Sequence, residues 1–340
     1  MPTPQEIVLD LLYGRWRSQT AHAGVELGIF EAADWVPKSA AQIARELGLD
    51  EPLTLRLLRA LRALELLDEH AGASFTLTEA GEMLRADHPL SMRDTMLLRE
   101  GPEHTAIWKH LPEMIREGRQ DGFLREYGVT GFDYAARHPP YRQAFDAAMS
   151  SQSHLQTRWA LTALADADLG SIEHLCDVGG GHGHLLAHLL QRHPRLHGTV
   201  LEKPGVLPGG RVPWAERLGV ADRCAAVAGD MFTDVPAADA YFMKLILHDW
   251  DDETCIRILQ RQHARATRPG RVFIVEQVLP ESGAPDFAYL FDMHMLCWGS
   301  GRERTESEYA DLLRHANWSH VATWLAPNGA LAVVEGAKRT

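Results

Sequence analysis

The stretch KLILHDWDDE, Lys244 to Glu253, sets a histidine and a carboxylate side by side, His248 and Asp249, directly after the apolar run AYFMKLIL. An imidazole at the end of a strand can remove a proton near neutral pH. A His-Asp-Trp is also a common way to open a helix, so taken alone the stretch leaves both readings open. Lys244 lies inside the apolar run, where an ammonium needs a partner.

A second candidate is CDVGGGHG, Cys176 to Gly183, between the apolar run HLCDV and a leucine-rich helix. Such a loop can hold a pyrophosphate, a nucleoside without phosphate, a metal or nothing. The dinucleotide pattern counted from Gly179 needs a glycine at 184, and that position is His184. No Gly-Lys-Ser/Thr follows, so the phosphate-loop pattern fails too. What remains is Asp177 at the strand end with Gly179, Gly181 and Gly183 at alternate positions, letting backbone approach a ligand. About 25 residues on, GTVLE ends in Glu202, from where a carboxylate can grip both ribose hydroxyls. A ribose and a positive charge without phosphate describe S-adenosylmethionine. The run HGHLLAHLLQRHPRLHG raises a metal, because His184 and His188 are one helical turn apart. No carboxylate or cysteine stands near them, and the leucines of that helix must face the sheet. The histidines are expected to face solvent or the ligand mouth, and no metal is expected.

These motifs need a sheet to position them. From about Ile172, the runs HLCDV, GTVLE, CAAVAG, AYFMKLIL and RVFIVEQVL alternate with helical segments such as DETCIRILQRQHARAT. That alternation predicts a mainly parallel sheet covered on both faces, with ligands at the carboxyl ends of its strands. Upstream, Ser39-AAQIARELG and Asp50-EPLTLRLLRALRALELL read as two capped helices, and ASFTLT as a strand before the helix EAGEML. This is a winged helix-turn-helix pattern. Arg56, Arg59 and Arg62 raise DNA binding, but acidic residues outnumber basic ones in the segment, which favours packing or dimerisation. Residues from about 100 to 165 continue as helices carrying Trp108, Phe132, Tyr134, Phe145 and Met149, a stripe that suits a core as well as a ligand wall.

The 340 residues have room for two domains, and 45% hydrophobic with 24% charged residues is an ordinary globular composition. A net charge of -12 disfavours nucleic acid and acidic membrane as partners. The start MPTPQEIVLD does not read as a signal peptide, and charged or polar residues interrupt every apolar run. Cys176, Cys224, Cys255 and Cys297 have no paired spacing, which predicts reduced thiols and a cytoplasmic location.

In their order, DVGGGHG, the strand-end acid of LEKP, GDMF (Gly229 to Phe232), KLILHDWDDE and GRERTESE (Gly301 to Glu308) resemble the motifs of class I, metal-independent O-methyltransferases. That family includes plant caffeate and flavonoid, animal acetylserotonin, and bacterial aromatic-polyketide and phenazine methyltransferases. The likeness spans nearly the whole chain, because the winged-helix start is similar to the family's dimerisation domain. It implies an α/β fold, in which an all-helical winged-helix dimerisation domain precedes a Rossmann-like S-adenosylmethionine methyltransferase domain with a parallel-type sheet. The boundaries fall at residues 1–100, a helical linker contributing to the substrate pocket at 101–165, and the catalytic domain at 166–340.

The resemblance further implies a role for each matching residue. Asp177, Gly179 and Gly181 would line the methionine part of the cofactor and Glu202 its ribose, Asp230 and Met231 would flank the adenine, and Gly229, Phe232 and Trp250 would also contact the cofactor. Lys244 and Ser153 would border the cofactor. His248 would be the general base, with Glu276 and Glu303 on either side of its imidazole. Trp108, Phe145, Met149, Asp249, His294, Met295 and Trp298 would surround a flat, hydroxylated aromatic acceptor, such as a polyketide, phenazine or naphthoate. The expected assembly is a homodimer, the expected product S-adenosylhomocysteine, and no metal takes part. The segment after Glu202, KPGVLPGGRVPWAERLG, departs from the helix usual there. Some relatives with this fold have lost the histidine and hydroxylate or decarboxylate with the same cofactor, so His248 favours methyl transfer without excluding such an activity, and a winged-helix regulator sensing a small molecule stands as the alternative from another class.

Overall fold

The computed structural model describes residues 2–283, 286–326, 329 and 331–339. They form two compact units. One takes the chain up to Trp108 together with Phe132–Gln152, and the other takes Lys109–Gly131 and the chain from Ser153 onward.

The first unit is helical apart from one small sheet. Helix Pro4–Glu26 opens with a capping box between Thr3 and Glu6. Helix Ala40–Leu47 opens the same way, Ser39 capping the Gln42 amide, and Asp50 caps helix Glu51–Ala63 through the Leu53 amide. The wing consists of β1 (Lys38–Ser39), β2 (Leu67–His70) and β3 (Ser74–Leu77), antiparallel in the order β1-β3-β2. Phe30, Ile43, Leu58, Leu61 and Phe75 are its buried core. ASFTLT is a strand as expected, while β2 lies in LDEH, where two charged residues and a histidine hid it.

The second unit is built on a seven-stranded sheet. Its strands are β4 (His174–Val178), β5 (His197–Glu202), β6 (Cys224–Ala228), β7 (Ala238–Lys244), β8 (Ala266–Glu276), β11 (Trp318–Leu325) and β12 (Ala332–Lys338). The order is β11-β12-β8-β7-β4-β5-β6, parallel from β8 to β6, with β12 antiparallel to both its neighbours. Strand order reverses beside β4, so the loops after β4, β5, β7 and β8 gather at one edge, where ligands of such sheets bind. A short parallel pair, β9 (Val278–Leu279) with β10 (Arg304–Thr305), brings the GRERTESE segment to the end of β8. Two apolar layers fill the two faces, one around Leu186, Val200 and Phe273, the other around Met243, Ile258 and Trp318.

Two boundaries differ from the sequence-based expectation. The run AYFMKLIL is strand only to Lys244, since Leu245 adopts φ 54° and Leu247–Asp249 closes a 3-10 turn. The helix in DETCIRILQRQHARAT stops at Arg265, and Ala266 already belongs to β8. Among the described residues no helix is long and apolar enough to cross a membrane, and all four cysteines are unpaired.

Gly198 on β5 leaves room for Leu186, because a Cβ there would lie 2.7 Å from the Leu186 Cδ1. Leu186 is fully buried. Leu186→Ala is expected to cost about 2–5 kcal/mol of stability, read as a lower midpoint of chemical denaturation.

Candidate active site

The glycine loop turns sharply after β4, with Gly179, Gly181 and Gly183 at φ 70°, 56° and 77°. Their lack of a Cβ matters most at Gly183, where one would stand 2.3 Å from Val212 Cγ1. The Gly181 amide donates to Glu202 Oε2 at 3.0 Å, and the Lys203 amide to Glu202 Oε1 at 2.8 Å, so the carboxylate ending β5 is tied to the loop. Asp177 lies beneath the same loop, almost wholly buried, and a Cβ on Gly180 would meet its carboxylate at 2.5 Å. Burial lifts the Asp177 carboxyl to about 7, against the pull of Lys244. Lys244, ending β7, donates to Ser153 Oγ and to Gln156 Oε1, each at 3.1 Å. Burial pushes its ammonium down, opposed by Asp177 and Glu276. The lysine partner demanded by the sequence is therefore a pair of neutral acceptors backed by two carboxylates.

Beyond β7 the loop carries His248. Its Nδ1 lies 2.8 Å from Glu303 Oε1 and 3.7 Å from Glu276 Oε2. The two glutamates thus both approach one nitrogen, instead of flanking the ring from either side. Their division of labour is unequal. Glu276 Oε1 accepts the amides of Ile246, Leu247 and His248 at 3.1, 2.9 and 3.4 Å, so this fully buried carboxylate chiefly holds backbone. Glu303 holds the ring. An ionised carboxylate can only accept, so Nδ1 carries the hydrogen and Nε2 is the basic atom. Nε2 lies 3.7 Å from Asp249 Oδ1. Burial disfavours the imidazolium, but Glu276, Glu303 and Asp249 together overcome it and raise His248 above its ordinary value. Burial likewise raises Glu276, with His248 opposing.

After β6, Phe232 and Trp250 meet edge to face at 4.9 Å between centroids, and Asp230 Oδ1 takes the Phe232 amide at 2.9 Å. Gly229 donates its amide to the Glu202 carbonyl at 2.9 Å, and Met231 packs against the same apolar layer as Trp250. Helix Phe287–Trp298 carries His294, Met295 and Trp298, all buried. Trp298 meets Phe123 edge to face at 4.8 Å and would clash with any Cβ on Gly131, so it is packed as core. Trp108, Phe145 and Met149 belong to the first unit, where Phe132 meets Phe145 edge to face at 6.4 Å.

Sequence reasoning missed three residues here. Phe291 lies nearly parallel to the His248 ring at 6.0 Å and one helical turn before Met295, a spacing that could have found it. Gln156 carries no motif. Arg304, next to Glu303, was hidden among charged residues. The histidine run also behaves differently from expectation. His184 is buried, stacked on His154 at 4.7 Å, with His188 tilted against it at 4.6 Å and the Trp214 ring edge-on at 4.2 Å. Burial drives it down to about 3, so it stays neutral. Trp214 comes from the glycine- and proline-rich segment after Glu202, which forms only a 3-10 turn at Pro208–Gly210 and the short helix Pro213–Arg217.

The family model of an O-methyltransferase domain matches residues 108–319, and that of an O-methyltransferase dimerisation domain matches residues 9–87. The chain belongs to the O-methyltransferase family. It is 33% identical over 308 residues to the phenazine O-methyltransferase PhzM of Lysobacter antibioticus, covering 90% of this chain and 88% of that protein. The solved structure of LaPhzM superposes with a TM-score of 0.89 at 30% identity, covering 99% and 100% of the two chains. Human N-acetylserotonin methyltransferase in complex with S-adenosylmethionine gives 0.87 at 27% identity, covering 100% and 99%. As an O-methyltransferase this chain uses S-adenosylmethionine as donor. The acid-rich strand ends and the phosphate-free glycine loop suit that cationic nucleoside.

Gly301 touches the His248 loop directly, since a Cβ there would lie 1.8 Å from the His248 carbonyl oxygen. Gly301→Ala is therefore expected to displace the imidazole and lower the methyl-transfer rate at least roughly tenfold, measured by initial rates with labelled donor.

Proposed function

We propose that His248 is the general base of a methyl transfer to a hydroxyl of an aromatic small molecule. The observation that carries this is the 2.8 Å contact between His248 Nδ1 and Glu303, which fixes the tautomer and leaves Nε2 basic at the ligand edge of the sheet. An aryl hydroxyl is mostly protonated at neutral pH, with pKa ~10. His248 Nε2 takes that proton as the oxygen forms its bond to the methyl carbon, and Glu303 steadies the resulting imidazolium. Bound S-adenosylmethionine supplies a methyl group on a positively charged sulfur, which departs with the bonding pair as a neutral thioether. The protein's main work is then alignment of oxygen, carbon and sulfur.

In this proposal Asp177, Gly179 and Gly181 border the methionine part of the donor, and Glu202 holds its ribose. Gly229, Asp230, Met231, Phe232 and Trp250 surround the adenine, while Lys244 and Ser153 close the site. Phe291 and Asp249 lie beside the imidazole, His294 and Met295 follow Phe291 on the same helix as proposed acceptor residues, and the phenazine methyltransferase relative supports an aromatic acceptor. No metal takes part. We further propose a homodimer. The dimerisation-domain match supports it, as does helix Pro4–Glu26, which leaves Val8, Leu11, Leu12 and Trp16 exposed.

His248→Ala is expected to lower turnover by several tens-fold or more while donor affinity, measured by calorimetry, stays within about twofold. The assay uses labelled donor and a panel of hydroxylated aromatics. Unchanged turnover would remove His248 as base.

The pH dependence has a definite sign. A base must be unprotonated, and the three carboxylates favour the protonated ring. Activity should therefore rise with pH along a limb above ~6.5, the ordinary histidine value. Glu303→Gln removes one carboxylate and should move that limb to lower pH, read from kcat/KM profiles. A limb that stays in place would contradict the assignment.

A further inference from the structure

Arg304 is the largest buried cation of the second unit, and the proposed reaction assigns it nothing. It has no exposed surface. All five of its N–H donors are used. Nε and Nη2 donate to Asp252 Oδ1 at 2.9 and 2.7 Å. Nη1 donates to the carbonyls of Leu247 and Arg302, each at 3.2 Å, and Nη2 also donates to the carbonyl of Trp250 at 2.8 Å.

The two loop carbonyls that Arg304 takes flank His248 and Asp249. The amides of the same turn are held from the opposite side by Glu276 Oε1. The 3-10 turn carrying the imidazole is thus clamped by its N–H groups to an anion and by its C=O groups to a cation. Neighbouring residues of an extended segment point in opposite directions. So Glu303 reaches the imidazole ring while Arg304 reaches the backbone beneath it, and the pairing of β10 with β9 anchors both. Asp252, in the first turn of helix Asp252–Arg265, accepts from two guanidinium nitrogens through one carboxylate oxygen and so ties Arg304 to that helix.

We propose that Arg304 is a positioning residue for methyl transfer, which sets the place of His248 by gripping the carbonyls of Leu247 and Trp250. The inference rests on His248 being the base. A planar fork of five donors is needed to reach two carbonyls, a third carbonyl and a carboxylate at once, and a lysine ammonium offers only three donors from one point.

The test is a double-mutant cycle on the full chain with Arg304→Lys and His248→Ala, reading kcat, KM for the donor and thermal midpoint. Arg304→Lys alone should lower kcat roughly ten- to hundredfold with donor KM changed less than about threefold. In the His248→Ala background it should cost less than about twofold, because there is no imidazole left to place. Asp252→Asn, a milder change at a half-exposed residue, should lower kcat in the same direction by about threefold or more and be equally silent beside His248→Ala. Equal losses in both backgrounds, or a fall in donor affinity that accounts for the whole effect, would overturn the proposal. If Arg304→Lys fails to fold, the Asp252→Asn arm of the cycle decides. A His248→Ala enzyme of full activity would instead refute the base assignment itself, an outcome read from the single variant.

Discussion

A carboxylate with no access to water, Glu276 at the end of β8, is the constraint around which the catalytic edge is organised. Burying such a charge is tolerable only if its oxygens find donors. Three successive backbone amides provide them for one oxygen, and those amides are free only because β7 ends at Lys244 and Leu245 turns through φ 54°. Strand end, turn and buried charge therefore form one device. It delivers His248 to the ligand side of the sheet with its ring nitrogen facing Glu303.

The same edge is electrically lopsided. Asp177, Glu202, Glu276, Glu303 and Asp249 all lie on the β4, β5, β7 and β8 side, with Lys244 as a buried cation among them. Anionic ligands would be repelled there, and a donor carrying a sulfonium and an ammonium is well matched. Burial lifts the Asp177 carboxyl to about 7, and a cation bound beside it would favour its ionised form. Among the described residues Asp177 Oδ1 is buried without a hydrogen-bond partner, in keeping with a group whose counterpart is a ligand.

The departure from the family pattern after Glu202 is held by packing. Where relatives carry a helix, Trp214 wedges edge-on against His184, and Arg217 lies over the Trp214 ring at 4.7 Å. His184 can serve as an aromatic wall only while neutral, which its burial ensures. A histidine run that suggests a metal in one dimension is, in three, a stack of imidazoles against an indole.

Much of this was legible in the sequence. Apolar runs marked the parallel strands, Ser39 and Asp50 marked two helix starts of the first unit, and Asp177 and Glu202 stand at the ends of β4 and β5 as their sequence positions implied. These are local signals, because hydrogen-bond capping and side-chain alternation act over a few residues. The chain alone did not reveal that Glu276 serves backbone while Glu303 serves the ring, that Arg304 lies under the His248 turn, or that His184 is interior. Those partners are 28 to 57 residues apart or come from separate helices, and which of several charged neighbours meets a given atom depends on how strands and loops pack. Residue type sets what a side chain can do, and only the folded chain decides what it meets.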